Sequence, residues 1–281
     1  MLNPEDFKRS IQMLAGLGST PAVLVEVLKL AGDPDTDLDS ICELLRTDGP
    51  LTADIIRISN SPYYGPATYL GTLTAAINFI GMQEVIRVLN LSLAQQLFAR
   101  DLPSYGIPAS EHWSASVAAA LVMEVLAGHT GLNQQDAYTL GILHAIGRIP
   151  INRVIEEKRL AVRWDGRQPI QEWERNSVGF DYAEAGAMLL EHWRFPDTMC
   201  HIIRRQLGPE RAKTPVSMLG LLQFTRHLLV LTGLDFENQD WQLPPADPFA
   251  EALGLTTESL KDLVSTCRDD YRRILQSVNF G

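Results

Sequence analysis

Apolar residues recur at three- and four-residue spacing along almost all of this chain, and no run of alternating apolar and polar residues persists anywhere. A strand needs that alternation and a helix needs the longer period, so the pattern restricts the fold to helices packed on helices. The expected class is all-α. Helix ends are written into the same text. Asn3 and Pro4 read as a helix start, and Thr20-Pro21 opens a helix carrying Val23, Leu24, Val27 and Leu28 that Gly32-Asp-Pro closes. From Thr36 or Asp37 a further helix sets Leu38, Ile41, Leu44 and Leu45 on one face and Asp39, Glu43 and Arg46 on the other. Leu51, Ile55 and Ile58 continue the spacing until Asn60-Ser-Pro-Tyr-Tyr-Gly65 breaks it, Thr72 caps a helix ending at Gly81, and Val85–Leu97 is apolar on most sides, as a buried helix is.

Asp101–Pro108 holds two prolines and a glycine and is the candidate hinge between lobes. The Ala-rich stretch Ser114–Ala127 would let a neighbouring helix approach closely, and Gly131 introduces the segment that follows. Pro196 opens a helix running to about Gln206, Met218–Leu231 is another apolar helix, and Asp235–Pro248 reads as loop. From Thr257, residues Leu260, Leu263, Val264, Cys267, Tyr271, Ile274 and Leu275 form an apolar stripe that must dock, on its own domain or on a second copy of the chain. A length of 281 residues exceeds one ordinary domain. The expected division is an N-terminal helical bundle over 1–105, a second helical lobe over 106–210 packed on it, and a helical extension over 211–281.

Composition removes several function classes. With 46% hydrophobic and 21% charged residues and no apolar run of membrane-spanning length, the chain reads as a globular protein that does not enter a membrane. Its N-terminus lacks the layout of a signal peptide, and Cys42, Cys200 and Cys267 lack metal-type spacing, so a cytoplasmic location with reduced thiols is expected. The net charge of −10, without a basic stripe, disfavours nucleic acid as a partner. No phosphate loop, Gly-x-Ser-x-Gly elbow or His-Glu-x-x-His motif is present, and no cofactor is expected.

One stretch stands out. Tyr138-Thr-Leu-Gly-Ile-Leu-His-Ala-Ile-Gly-Arg-Ile149 sets a single imidazole, His144, at the end of an apolar helix and follows it with Gly147. Gly-Ile-Leu-His-Ala-Ile-Gly-Arg148 resembles the Gly-x-Leu-His-Asp-Ile-Gly-Lys segment of the HD superfamily of metal-dependent phosphohydrolases, and in particular its HDOD branch, the HD-related output domain of bacterial signalling proteins. Thr20-Pro-Ala-Val, Asp48-Gly-Pro-Leu-Thr, the loop with Asn60, Ser61, Tyr64 and Gly65, and Ala76-Ile-Asn-Phe-Ile-Gly81 are similar to the front half of HDOD domains. Gly179–Pro196 is a third family-like segment, and the likeness extends over roughly residues 14–210.

The resemblance implies an HD-like second lobe and locates its ligand positions. The family's His-Asp pair falls on His144 and Ala145, its earlier His near Ala115, a later His on Tyr182, and a His-His pair near Arg205-Gln206. Only His144 remains a donor, and replacing a carboxylate by the methyl of Ala145 removes both ligand atoms and compensating charge. No catalytic residue and no metal ligand is therefore assigned, although a substitute set drawn from His112, Glu184 and His192 stays open. His144 reads as a hydrogen-bonded helix-joining histidine or as a surviving ligand. Arg148, Arg204 and Arg205 form an anion pocket if they face the old cleft, and otherwise are solvated or paired with Glu184 and Glu191. Tyr63 and Tyr64 either present a recognition patch or pack over a core edge. The expected function is a non-catalytic HDOD-type signal-transduction or regulatory module that binds a partner protein or small ligand and could self-associate. The alternatives are a phosphodiesterase rebuilt around His144 and a nucleotide-sensing anion pocket.

Overall fold

The computed structural model describes residues 20–31, 33, 36–62, 64–208, 216–232 and 248–277, which include no strand beyond a single bridge between Leu102 and Ile107. The expected starts at Asn3 and Pro4, the stop at Gly32, Tyr63 and most of the Asp235–Pro248 loop lie outside these residues.

Five helices build the first part of the chain: α1 (Thr20–Ala31), α2 (Leu38–Arg46), α3 (Gly49–Ser59), α4 (Leu73–Ile80) and α5 (Met82–Leu97). Their starts carry side-chain caps, Asp37 on the Ser40 amide, Asp48 on Leu51 and Thr72 on Ala75, which satisfy amides that a helix leaves without partners. After α3 the chain turns through the Asn60 loop. Asn60 holds that loop shut, because its side chain both donates to the Leu70 carbonyl (3.0 Å) and accepts from the Leu70 amide (2.8 Å). The centre of α5, from Val85 to Ala94, is buried except at Arg87, so this helix lies between two layers.

The second part contains α6 (Ala109–Thr130), α7 (Gln134–Leu143), α8 (Arg148–Glu157), α9 (Ile170–Val178), α10 (Tyr182–His192), α11 (Asp197–Arg205) and α12 (Met218–Thr232), followed by α13 (Pro248–Ala252) and α14 (Thr257–Ser277). Helix α6 is its axle: α7, α12 and α14 all pack along it. The segment between the two parts is anchored. Leu102 and Tyr105 are buried, and the Ser104 amide bonds the Asn152 side chain at 3.0 Å. The stripe of α14 docks within the chain, with Leu260 and Cys267 buried and Tyr271 donating to Ser114 on α6 at 2.8 Å; the Leu275 side chain is outside the described residues.

Two glycines set helix spacing in the second part of the chain. A β-carbon on Gly141 would stand 2.4 Å from the Ala120 α-carbon, and one on Gly147 would stand 2.0 Å from the Tyr182 carbonyl oxygen. Both clashes are with backbone, so a rotamer change cannot relieve them. Alanine would gain about 1 kcal/mol in helix propensity at Gly141, yet forcing two helices apart costs about 1–3 kcal/mol or more. Gly141→Ala is therefore expected to lower thermal stability by several degrees, whereas Gly49→Ala, where nothing lies within 4 Å of the added methyl, should be neutral or stabilising in the same melting experiment.

Candidate functional site

The last turn of α7, the starts of α8 and α9, and α6, α10 and α12 enclose a cleft of about 460 Å³ bordered by Ala115, His144, Arg148, Gln171, Tyr182 and Arg226, with Ile170, Leu229 and Val230 as its apolar rim. Gln171 and Arg226 also border a second hollow of about 260 Å³, which reaches Gln206 and Gln223.

His144 ends α7. Its Nδ1 lies 2.8 Å from the Gly141 carbonyl oxygen. A carbonyl only accepts, so Nδ1 carries the proton and Nε2 keeps its lone pair. Burial, joined by the repulsion of Arg148 and Arg226 and opposed by the Gly141 bond, holds the imidazole pKa down to about 3, so the ring stays neutral. The His144 carbonyl is tied from behind by the Gln206 amide at 2.8 Å.

Arg148 and Arg226 share one aromatic platform. Their guanidinium carbons stand 4.7 and 5.9 Å from the centre of the Tyr182 ring. Arg226 donates to the Gln206 carbonyl at 2.8 Å, while Arg148 Nε is buried without a hydrogen-bond partner. Among the described residues neither arginine forms an ion pair, and no carboxylate borders the cleft. The nearest acidic influence comes from behind. Glu174, fully buried, accepts from the Tyr105 hydroxyl (2.8 Å) and the Tyr182 amide (2.9 Å), and burial lifts its pKa to about 7 against the pull of those bonds and of Arg148.

The sequence-derived positions separate into two groups. Ala115, His144, Tyr182 and Arg148 meet at the cleft, with Ala145 buried beside it. Arg204 and Arg205 do not border it: Arg204 binds Glu191 at 2.8 Å across α10 and α11, and Arg205 is exposed. One residue later the helix face has turned inward, and Gln206 is buried. The second cleft arginine is instead Arg226, which the sequence reading passed over inside an apolar helix. Its signal was there, since a lone arginine amid Leu221, Leu222, Leu228 and Leu229 must find either a partner or an opening.

The HD superfamily's metal does not fit these residues. Among the described residues no three His, Cys, Asp or Glu side chains come together as a metal-holding group. Glu184 and His192 are exposed, and His112 is buried against the Phe98 ring at 4.4 Å. Two guanidinium groups and a phenol ring occupy the surroundings of the one imidazole, which repels a divalent cation.

The Asn60 loop belongs to a different part of the molecule. Tyr64 donates to Glu84 at 2.5 Å, Glu84 lies 3.6 Å from Arg87, and Arg87 binds Glu124 of α6 at 2.6 Å. Ser61 Oγ is buried without a partner and Gly65 takes a positive φ of 53° that favours glycine. This loop is thus tied through α5 to α6 and does not border the cleft.

The HDOD domain model matches residues 17–209. The chain belongs to the HDOD family. It is 23% identical over 233 residues to an uncharacterised protein of Treponema pallidum, covering 80% of this chain but 44% of that protein, so the chain spans less than half of that relative's length. Among solved structures, it resembles a candidate signal-transduction protein of Marinobacter aquaeolei (TM-score 0.69, 20% identity, 92% of this chain and 58% of the other). It also resembles an HDOD domain protein of unknown function from Geobacter sulfurreducens (0.65, 18%, 96% of each). A third likeness is to a candidate phosphohydrolase of Shewanella amazonensis (0.61, 21%, 97% and 95%). At these identities the likeness establishes the HD-like all-α fold. No helix among the described residues is long and apolar enough to cross a membrane.

The buried imidazoles set an acid limit. His112 is held to a pKa of about 3, by burial first and then by Arg148 and His144. Its folded pKa lies below the unfolded value, so the native state binds fewer protons than the unfolded chain between about pH 6.5 and pH 3. Stability is full above that window and falls as pH drops through it. His112→Phe, which keeps a flat ring against Phe98, should therefore gain on the native protein by roughly 2–3 kcal/mol between pH 7 and 4.5, read as the change in the difference between their melting temperatures. Glu174 acts with the opposite sign, its raised pKa removing stability as pH climbs from about 4.5 to 7.

Proposed function

We propose that this HDOD protein is a non-catalytic signal-transduction or regulatory module whose cleft receives a ligand instead of a catalytic metal, with a protein partner reading the resulting state. One observation carries the reading: at the positions where a metal-dependent phosphohydrolase needs acidic and imidazole donors, this chain has methyl, phenol and guanidinium groups around His144. Water activation at neutral pH requires several ligands and a metal to lower the water pKa. A single neutral imidazole supplies neither. The arginines and the apolar rim support binding. The Marinobacter neighbour, described as a signal-transduction protein, supports the regulatory context, and the Shewanella neighbour, described as a phosphohydrolase, keeps the opposite outcome testable.

The decisive measurement pairs metal analysis with turnover. Purified protein supplied with Mn²⁺ or Mg²⁺ is expected to retain sub-stoichiometric metal and to hydrolyse neither bis(p-nitrophenyl) phosphate nor p-nitrophenyl phosphate above background, with His144→Ala indistinguishable from the native chain. Stoichiometric metal together with turnover that disappears in His144→Ala would establish the phosphohydrolase reading instead.

A further inference from the structure

We infer that the cleft is a receptor for a phosphomonoester whose phosphoryl group still bears a proton, gripped by Arg148 and Arg226 and distinguished by the bare Nε2 of His144. This deepens the proposed regulatory role and rests on the cleft being a ligand pocket.

Charge gives the first step. The chain carries a net −10, yet this cleft is bordered by two guanidinium groups and, among the described residues, no carboxylate. An arginine in a partly dry cleft gains most from a charge-assisted bond with an oxyanion, and the planar fork suits phosphate or carboxylate. Arg148 is positioned for this by stacking on Tyr182, and its buried Nε remains a donor without an acceptor among the described residues.

His144 then narrows the class. Because Nδ1–H is committed to the Gly141 carbonyl, the other ring nitrogen offers only a lone pair, and no residue among those described uses it. A fully deprotonated oxyanion presents lone pairs of its own to that nitrogen and is repelled. A singly protonated phosphoryl group instead donates its O–H to Nε2 while its remaining oxygens accept from the two arginines. The groups facing this imidazole are Arg148 on α8, Arg226 on α12, His112 on α6 and the Tyr182 ring on α10, and none is an anion that could displace the ligand.

Volume supplies the rest. About 460 Å³ lies within the range of small organic ligands and well above the space a lone phosphate fills. Ile170, Leu229 and Val230 form the apolar rim, and Val230 is 79% exposed there, so an organic body attached to the phosphoryl group has a surface to cover.

The test is calorimetric titration at pH 5.5, where sulfate is a dianion while inorganic phosphate and phenyl phosphate are largely singly protonated. The native protein is expected to bind inorganic phosphate about tenfold more tightly than sulfate and phenyl phosphate more tightly again. Arg226→Met, at a partly buried position, should weaken all three about tenfold with an unchanged circular dichroism spectrum. His144→Gln, whose amide can turn a donor toward the anion, should bring sulfate up to phosphate while Arg226→Met preserves the preference. Equal affinity for phosphate and sulfate in the native protein, indifference to Arg226→Met, or no binding of any probe would overturn the inference while leaving the non-catalytic reading standing. Metal-dependent hydrolysis of phenyl phosphate would overturn both.

Discussion

The cleft exists because two helices touch at the backbone. Gly147 brings the start of α8 against Tyr182 and Gly186 of α10 with no room for a single carbon between them. That contact sets Arg148, the residue after Gly147, over the Tyr182 ring, and it fixes the position of His144 three residues earlier. Gly141 does the same for α7 on α6, so the imidazole is held from both directions by contacts that cannot slide. Side-chain rearrangement could tune this site only within narrow limits. Its geometry is decided by chain packing before any polar group is considered.

On that frame the polar groups form a consistent electrostatic arrangement. Burial and two neighbouring cations keep His144 neutral, Tyr182 presents its ring face to both guanidinium groups, and Gln206 ties the His144 backbone and the Arg226 side chain into one hydrogen-bonded unit. Glu174 lies behind the platform, where its bond to the Tyr182 amide steadies the ring without projecting negative charge into the opening. A metal centre would require the reverse polarity. The same backbone can hold either, which is why the fold alone does not decide the chemistry.

Much of this was legible because the relevant forces are local. The cap at Thr72, the break at Asn60, and the apolar periods of α3, α5 and α14 depend on residues a few positions apart, and they define helices in the structure close to where the sequence places them. The Asn60 loop was legible as a family signature but not as a clamp, since its partner Leu70 is ten residues away and offers only backbone. The site was harder. Whether Arg205 or Gln206 faces inward turns on one residue, about 100° of helix rotation, which motif matching does not resolve. The lone Arg226 among leucines signals an opening without saying which one, and Gln171 reaches the cleft only through the packing of α9, a long-range fact that no local pattern encodes.

The chain of contacts from Tyr64 through Glu84 and Arg87 to Glu124 has a mechanical consequence. Glu124 is largely buried on α6, and burial already pushes its carboxyl pKa up against the attraction of Arg87, so separating the pair would leave a stranded charge inside the protein. A shift of α5 along α6 would have to break this pair, and that cost opposes it. The Asn60 loop is in this way riveted to α6 by a relay of three polar contacts, so its position is set by a helix that lies far from it in sequence.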